Sequence, residues 1–259
     1  MSQAYESLAA ELHDAFQDSH GPSPELSLMQ DFLACHPGRA LEIGCGSGRL
    51  LLPLCEAGME VEGLELSTSM LQMARERAQD LGLEPRLHQG DMDHWQPESR
   101  YACLLTPSFT LQLASDPATT LRHWASWLEP GGGLYMSVFM PYGELTGELP
   151  EGEWYEDHRT TLPCGEMALL EARHRLDSAN SRILREHRYT VSGRSRREHR
   201  CQQAIRWAEP QQWQEWLQEA GFTVNSRYLD WDAAWNMANP GPDDFDGILT
   251  FEATLRAHR

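Results

Sequence analysis

The chain contains no lysine. All 21 basic residues are arginine, set against 39 Asp and Glu, for a formal charge of −18 over 259 residues. A field of that sign repels polyanions, which speaks against DNA or RNA as a partner. No run of 18 apolar residues occurs, so nothing is long enough to cross a bilayer as a helix and no membrane partner is expected. The opening Met1-Ser2-Gln3-Ala4-Tyr5-Glu6-Ser7 has neither a basic nor an apolar leader segment, and a cytoplasmic location is expected. The six cysteines form no CxxC pair, which argues against a zinc ribbon or a disulfide framework. None of the eleven histidines falls in an HExxH pattern, so no metal site is expected.

What is present is a hydrophobic fraction of 41%, enough for a sizeable core, in a length that suits one α/β domain with an insertion. The stretch that organises the chain is Ala40-Leu41-Glu42-Ile43-Gly44-Cys45-Gly46-Ser47-Gly48, followed by the apolar Leu50–Leu54. A short apolar run, glycines at every second position and a helix-like segment read as strand, tight turn and helix, the opening unit of a nucleotide-binding sheet. Glycine lacks Cβ, so the main chain can turn with positive φ and lie against a ligand. The spacing here is G-x-G-x-G, not the G-x-G-x-x-G of the dinucleotide fingerprint. A second strand, residues 59–66, ends in Glu65, with Ser67 as cap for a helix from Met70 to Leu81. An acid at the end of strand two is placed to accept from both hydroxyls of a ribose.

Together with Gly90-Asp91-Met92 after strand three (86–89), Thr106-Pro107-Ser108-Phe109 after strand four (101–105), and Leu128-Glu129-Pro130-Gly131-Gly132 before strand five (134–139), these segments are similar to class I S-adenosylmethionine-dependent methyltransferases of the small-molecule type. The similarity covers roughly residues 40–140. It implies S-adenosyl-L-methionine as cofactor, held by Tyr5, Glu42, Gly44, Cys45, Gly46, Gly48, Glu65, Leu66, Asp91, Met92 and Thr106, with Asp91 on the adenine amine and Met92 on its ring. Two departures stand out: Glu65 where Asp is usual, and Tyr101-Ala102 where strand four usually opens Phe-Asp. The implied fold is α/β, a doubly wound, mostly parallel seven-stranded sheet (the Rossmann-like methyltransferase fold) with an antiparallel β insertion after strand five.

The expected organisation is a cofactor-binding domain at 1–140 and 207–259 with an N-terminal helical lid, and a β insertion at 141–206 as a substrate-side cap or dimer contact. The periodic Tyr5, Leu8, Ala9, Leu12 and Phe16 make the first helix, and Ser23-Pro24 starts the second. Within the insertion, 171–176, 183–191 and 198–207 alternate as an antiparallel meander. Ten arginines lie between Arg173 and Arg206, serving as a solvated sheet face, a cationic wall or a homodimer contact. A last helix from Glu209-Pro210 and strands 222–230 and 248–256 finish the sheet, with a long loop at 231–247 between them.

The expected function is methyl transfer to a small-molecule acceptor by in-line displacement. No catalytic residue is fixed by the pattern. His20 and His158 are the candidates for a base, with Glu153 and Asp157 beside them, and Trp154 and Tyr155 are candidates for a substrate wall. The alternatives are a non-catalytic binder of the cofactor or its product, and a nucleic-acid methyltransferase. Thr106-Pro107-Ser108-Phe109 lacks the leading Asn or Asp of the base-methylating pattern. A nicotinamide oxidoreductase is disfavoured by the glycine spacing.

Overall fold

The computed structural model describes residues 5–18, 23–193, 196–230 and 247–257. His20, Arg194 and most of the 231–247 loop, named above, lie outside the described residues. Helices α1 (Leu8–Asp18) and α2 (Glu25–Cys35) precede strand β1 (Ala40–Ile43) and helix α3 (Leu51–Glu56). There follow β2 (Val61–Glu65), α4 (Thr68–Asp80), β3 (Leu87–Gln89), β4 (Tyr101–Thr106), a 3₁₀ turn at Thr110–Leu113, α5 (Pro117–Ala125) and β5 (Leu128–Phe139). The short α6 (Tyr142–Leu145) leads into β6 (Tyr155–Thr161), β7 (Met167–Asp177), β8 (Arg182–Ser192) and β9 (Arg197–Arg206). The chain ends with α7 (Pro210–Glu219), β10 (Phe222–Leu229) and β11 (Ile248–Leu255).

Seven strands form one sheet in the order β10-β11-β5-β4-β1-β2-β3, and β6-β7-β8-β9 form a second, antiparallel sheet. In the first, β1 to β5 run parallel and β11 is antiparallel to both β5 and β10. The order reverses between β1 and β4, and an open α/β sheet has its crevice at that point, beyond the carboxyl ends of the strands. β1 is buried at all four positions, as a central strand covered on both faces must be. One face packs Trp124, Trp127, Trp213, Leu217 and Phe222 around β4, β5 and β11; the other takes Met29, Phe32 and Leu33 of α2 with Leu51 and Leu54 of α3.

Local chemistry sets the element ends. Ser67 caps α4, its hydroxyl accepting from the Met70 amide at 3.0 Å, and Asp116 caps α5 ahead of Pro117. One expectation shifts: Pro24, not Ser23, is the cap residue of α2. A helix starting at Asp116-Pro117 would carry Leu121, Trp124, Trp127 and Leu128 on one apolar face, but α5 ends at Ala125 and Leu128 begins β5. The larger difference is β6, a strand ahead of the expected meander, in a stretch rich in Gly, Pro and Glu. It is an edge strand of Tyr-Glu-Asp-His-Arg-Thr-Thr with no fully buried position, so it shows no alternation to read.

α1 joins the two sheets. Leu8, Ala9, Leu12 and Phe16 pack on Ala168, Tyr189 and Val191 of the second sheet. On its other side Asp14 reaches the main body: its carboxylate accepts from Ser47 Oγ at 2.8 Å and pairs with Arg77 at 2.7 Å.

The amino-terminal edge of the main sheet is pinned by Glu62, which is 5% exposed. Its carboxylate accepts from Tyr101 Oη at 2.8 Å and Arg39 Nη1 at 3.3 Å, and lies 2.8 Å from His88 Nε2. Burial opposes its ionisation, but the His88 and Tyr101 contacts and the Arg39 charge outweigh it and hold the carboxyl below its usual range. A depressed carboxyl contributes stability above its unfolded value, about 4.3, and loses that contribution as pH falls through the lower folded value. Glu62→Gln is therefore expected to cost about 1–3 kcal/mol at pH 7 in urea titrations, with the gap to the native protein closing below about pH 4.

Candidate functional site

At the carboxyl ends of β1, β2 and β4 the chain surrounds a cleft of about 1110 Å³, closed on the far side by the second sheet. That exceeds the roughly 300–1,000 Å³ typical of a site for one small ligand, leaving room for two side by side. Tyr5, Glu42, Gly44, Cys45, Gly46, Glu65, Leu66, Asp91 and Met92 all line it. Gly48 and Thr106 do not. Gly48 turns the chain into α3, where a Cβ would stand 2.9 Å from Leu52 Cγ. Thr106 is fully buried in its strand, and Pro107 and Ser108 reach the cleft in its place.

The turn after β1 is built for close approach. Gly46 has φ +54° and a Cβ there would meet nothing within 4 Å, so its main chain faces open space in the cleft. The Gly46 amide donates to Glu65 Oε2 at 3.1 Å and the Ser67 amide donates to Glu65 Oε1 at 2.8 Å. Each carboxylate oxygen thus keeps a further lone-pair direction for a ligand, the two-hydroxyl reading that an acid at this point allows. Desolvation pushes the Glu65 carboxyl up, and these two amides oppose it.

Glu42 lies deeper, 2% exposed, with Oε2 unpartnered among the described residues. Burial, with the charges of Glu25 and Glu65 near it and only Arg49 opposing, pushes its carboxyl up to about 8. Glu25, equally buried, lies against the Ser137 hydroxyl. Arg49 Nη2 donates to Ser108 Oγ at 3.1 Å. A cationic group placed in this part of the cleft would meet two acids, one of them wanting a partner. Asp91 accepts from the Asp93 amide at 3.0 Å, and the Met92 carbonyl is held by the Trp124 indole N–H at 3.0 Å. This loop is fixed to α5 before any ligand arrives.

The candidates from the insertion fall elsewhere. His158 packs edge-on against Phe16 of α1, ring centroids 5.2 Å apart, and does not line the cleft. Trp154 lies among the guanidiniums of Arg188, Arg173 and Arg200 at 4.5, 4.8 and 5.7 Å, so its ring serves the arginine face of the sheet. Tyr155 stacks edge-on at 5.9 Å against His174 and stays behind the cleft wall. Glu153 and Asp157 are exposed and outside the lining. The second sheet instead contributes several arginines, Arg173, Arg175, Arg182 and Arg206 among them, and the buried or half-buried His174, Arg185 and Gln203. The last three are of a different kind. They stand at inward positions of strands whose neighbours on that face, Ala172, Ile183 and Ile205, are buried and apolar. Polar residues at the apolar beat of a period-2 pattern were the available signal.

Linkage gives Glu42 a measurable signature. Its folded value near 8 lies above the unfolded value of about 4.3. Between those values the unfolded chain sheds a proton that the folded one keeps, so stability declines as pH rises through the folded value. The ligand-free protein is expected to lose melting temperature between pH 5 and pH 8, with the decline shallower in Glu42→Gln; parallel curves would remove Glu42 from this account.

Comparison with known proteins places this geometry. Residues 40–132 match the family described as a methyltransferase domain. The ubiquinone biosynthesis O-methyltransferase of Yersinia pestis (strain Pestoides F) is 30% identical over 101 residues, 39% of this chain and 42% of that protein. The chain thus spans less than half the length of the curated relatives it matches. Among solved structures, the CcbJ methyltransferase of Streptomyces caelestis superposes with a TM-score of 0.75 at 23% identity, over 99% of this chain and 98% of that one. CalS10 of Micromonospora echinaspora, an amino pentose methyltransferase with S-adenosylmethionine bound, superposes at 0.67 and 21% identity, over 94% and 96%. Residues 40–132 thus match the methyltransferase-domain family, and the whole chain shares the fold of these solved methyltransferases.

Proposed function

We propose that this protein is an enzyme that transfers a methyl group from S-adenosyl-L-methionine to a small-molecule acceptor. The observation that carries the reading is the junction of Glu65 with Gly46: a carboxylate at the end of β2, gripped by the amide of a glycine turn whose bare main chain faces the cleft. The residues present fit the cofactor. Glu65 offers two oxygens to a ribose diol, Met92 and Leu66 offer apolar contact to a base, Asp91 an acceptor for its amine, and the unpartnered Glu42 oxygen a seat for an ammonium group.

The bound cofactor supplies an already electrophilic methyl group on a sulfonium, so the protein's task is placement and exclusion of water. Held geometry of that kind can account for about 7–11 kcal/mol of a barrier. The glycine turn and Glu65 fix one partner against the sheet, and the wall formed by the second sheet limits how the other can enter. Residues 1–140 and 207–259 serve as the cofactor-binding part, with α1 and α2 lying over it, and 141–206 as the substrate-side cap. A cleft walled by a β-sheet and a charge of −18 both favour a small acceptor over nucleic acid. No helix among the described residues is long and apolar enough to cross a membrane. That accords with a reaction on dissolved acceptors, for which a cytoplasmic protein is the simplest setting.

Calorimetric titration with S-adenosylmethionine and S-adenosylhomocysteine tests the reading. Binding of both is expected, weakened at least roughly tenfold in Glu65→Ala through loss of charge-assisted hydrogen bonds and partly restored in Glu65→Asp. Binding of neither, or equal binding by Glu65→Ala, would overturn it.

A further inference from the structure

The second sheet lines the cleft with arginines (Arg173, Arg175, Arg182 and Arg206) and, at its inward positions, with one cross-strand row of polar residues. His174 on β7 is the register partner of Arg185 on β8, which is the partner of Gln203 on β9. Directly opposed residues on one face have Cβ atoms about 4.5–5.5 Å apart, so the three heads span about 10 Å across the strands. On one side of this row Leu176, Ile183 and Ile205 are apolar; on the other come Ala172, His187 and Cys201, and beyond them α1 covers the sheet through Tyr189 and Val191.

All three residues line the cleft; both ring nitrogens of His174 and Arg185 Nε are buried with no partner among the described residues, and the Gln203 side chain meets the Tyr5 hydroxyl. His174 is 0% exposed and Gln203 7%. An unpaired buried polar group costs about 1–3 kcal/mol, and three of them on two facing residues are hard to explain as packing. Arg182 Nε, on the same strand as Arg185, is a further unpartnered atom on a cleft-lining residue, whereas His187 Nδ1 lies away from the cleft. Arg185 is otherwise tied to the buried Glu144 of α6, which holds its guanidinium in place while leaving Nε free.

We infer that the row His174–Arg185–Gln203 is the anchor for the methyl acceptor, and that it selects a saturated ring bearing several hydroxyl or amino groups. The inference rests on the methyl-transfer reading above and names the acceptor side of that site. The chemistry of the orphans sets the class. A neutral imidazole presents one donor and one acceptor on diverging sides of its ring, so satisfying His174 takes two ligand groups, one receiving and one giving, and hydroxyls or amines can fill either part. A carboxylate or phosphate can only accept and would leave one ring nitrogen bare. Arg185 Nε is a donor and wants a ligand oxygen or nitrogen at another point of the row. Adjacent hydroxyls on a flat phenol cluster at one edge of the ring and serve one head, whereas a polyhydroxylated or aminated saturated ring displays such groups around its whole rim.

The test uses a panel of methyl glycosides of aminodeoxyhexoses and aminodeoxypentoses, with 3,4-dihydroxybenzoate as the flat phenolic comparison. Each is titrated calorimetrically with and without S-adenosylhomocysteine, and methyl transfer from labelled S-adenosylmethionine is followed. At least one glycoside is expected to bind and be methylated in preference to the phenol. His174→Phe, which keeps ring volume and removes both nitrogens, should weaken that binding and raise KM roughly tenfold or more, the worth of two lost hydrogen bonds. His174→Gln, with one donor and one acceptor on its amide, should recover part of the loss. S-adenosylhomocysteine affinity should be unchanged in both variants. If it is unchanged while the glycosides bind no better than the phenol, or bind His174→Phe as well as the native protein, the anchor is overturned and the cofactor reading stands. If the native protein fails to bind S-adenosylhomocysteine, the cofactor reading falls, and the glycoside titrations made without it still decide the anchor.

Discussion

The carboxylate of Glu65 holds the cleft together. It sits where β2 ends, and its two oxygens take the amides of Gly46 and Ser67 from two different segments. One bond fixes the glycine turn after β1; the other fixes the start of α4, whose cap Ser67 also binds the Tyr5 carbonyl at 2.6 Å. A single acid therefore sets the distance between the turn, α4 and the N-terminal segment. Ionisation costs it desolvation, yet the same amides that order the loop also support the charge. A ligand diol meeting this group finds it already oriented, which spares much of the ordering cost of binding.

α1 extends that constraint to the second sheet. A helix with apolar residues all round would be core, and one with a single stripe would lie on one surface. Here the stripe of Leu8, Ala9, Leu12 and Phe16 belongs to the second sheet, while the buried Asp14 on another side holds Ser47 in the glycine turn and Arg77 on α4. Burial opposes its charge, but the His13 and Ser47 hydrogen bonds and the Arg77 cation hold its carboxyl below the ordinary range, so it stays an anion where it anchors. The wall opposite the cofactor loop is thus registered to that loop through side chains, although the two sheets share no strand.

Much of this was legible in the chain because the turn chemistry is local. Gly44, Gly46 and Gly48 announce positive φ, Ser67 and Asp116 announce helix starts, and Glu65 gains meaning from its place at a strand end. β6 was not legible. As an edge strand with no fully buried position it owes its conformation to β7, eleven residues long, and not to its own pattern. The candidates drawn from Trp154-Tyr155 and His158 failed for a related reason. Aromatics and histidines in an irregular stretch look available, but Trp154 is taken up by three arginines and His158 by Phe16. Glu25, Arg49 and Ser108 come together only because α2 and the β4 loop converge over β1, a long-range fact with no local signal.

The two walls of the cleft differ in how their polar groups are satisfied, and the difference follows from what each must do. On the Glu65 side the acid and the amides of the turn are bonded to one another, so that surface keeps its shape and its charge whether or not a ligand is present. On the sheet side His174, Arg185 and Gln203 are positioned by strand register and, for Arg185, by Glu144, while both His174 ring nitrogens and Arg185 Nε stay unbonded among the described residues. Register is a rigid way to hold unsatisfied groups. The ladder hydrogen bonds of β7, β8 and β9 fix the backbone, and slipping a strand by one residue would turn its inward face outward and expose Ile183 and Ile205. Loops could relax to pair such orphans with themselves; β7 and β8, eleven residues each and paired on both sides, cannot. A β-sheet is therefore a physically suitable wall for the variable partner, because it can present unpaired donors and acceptors at fixed spacing without folding around them.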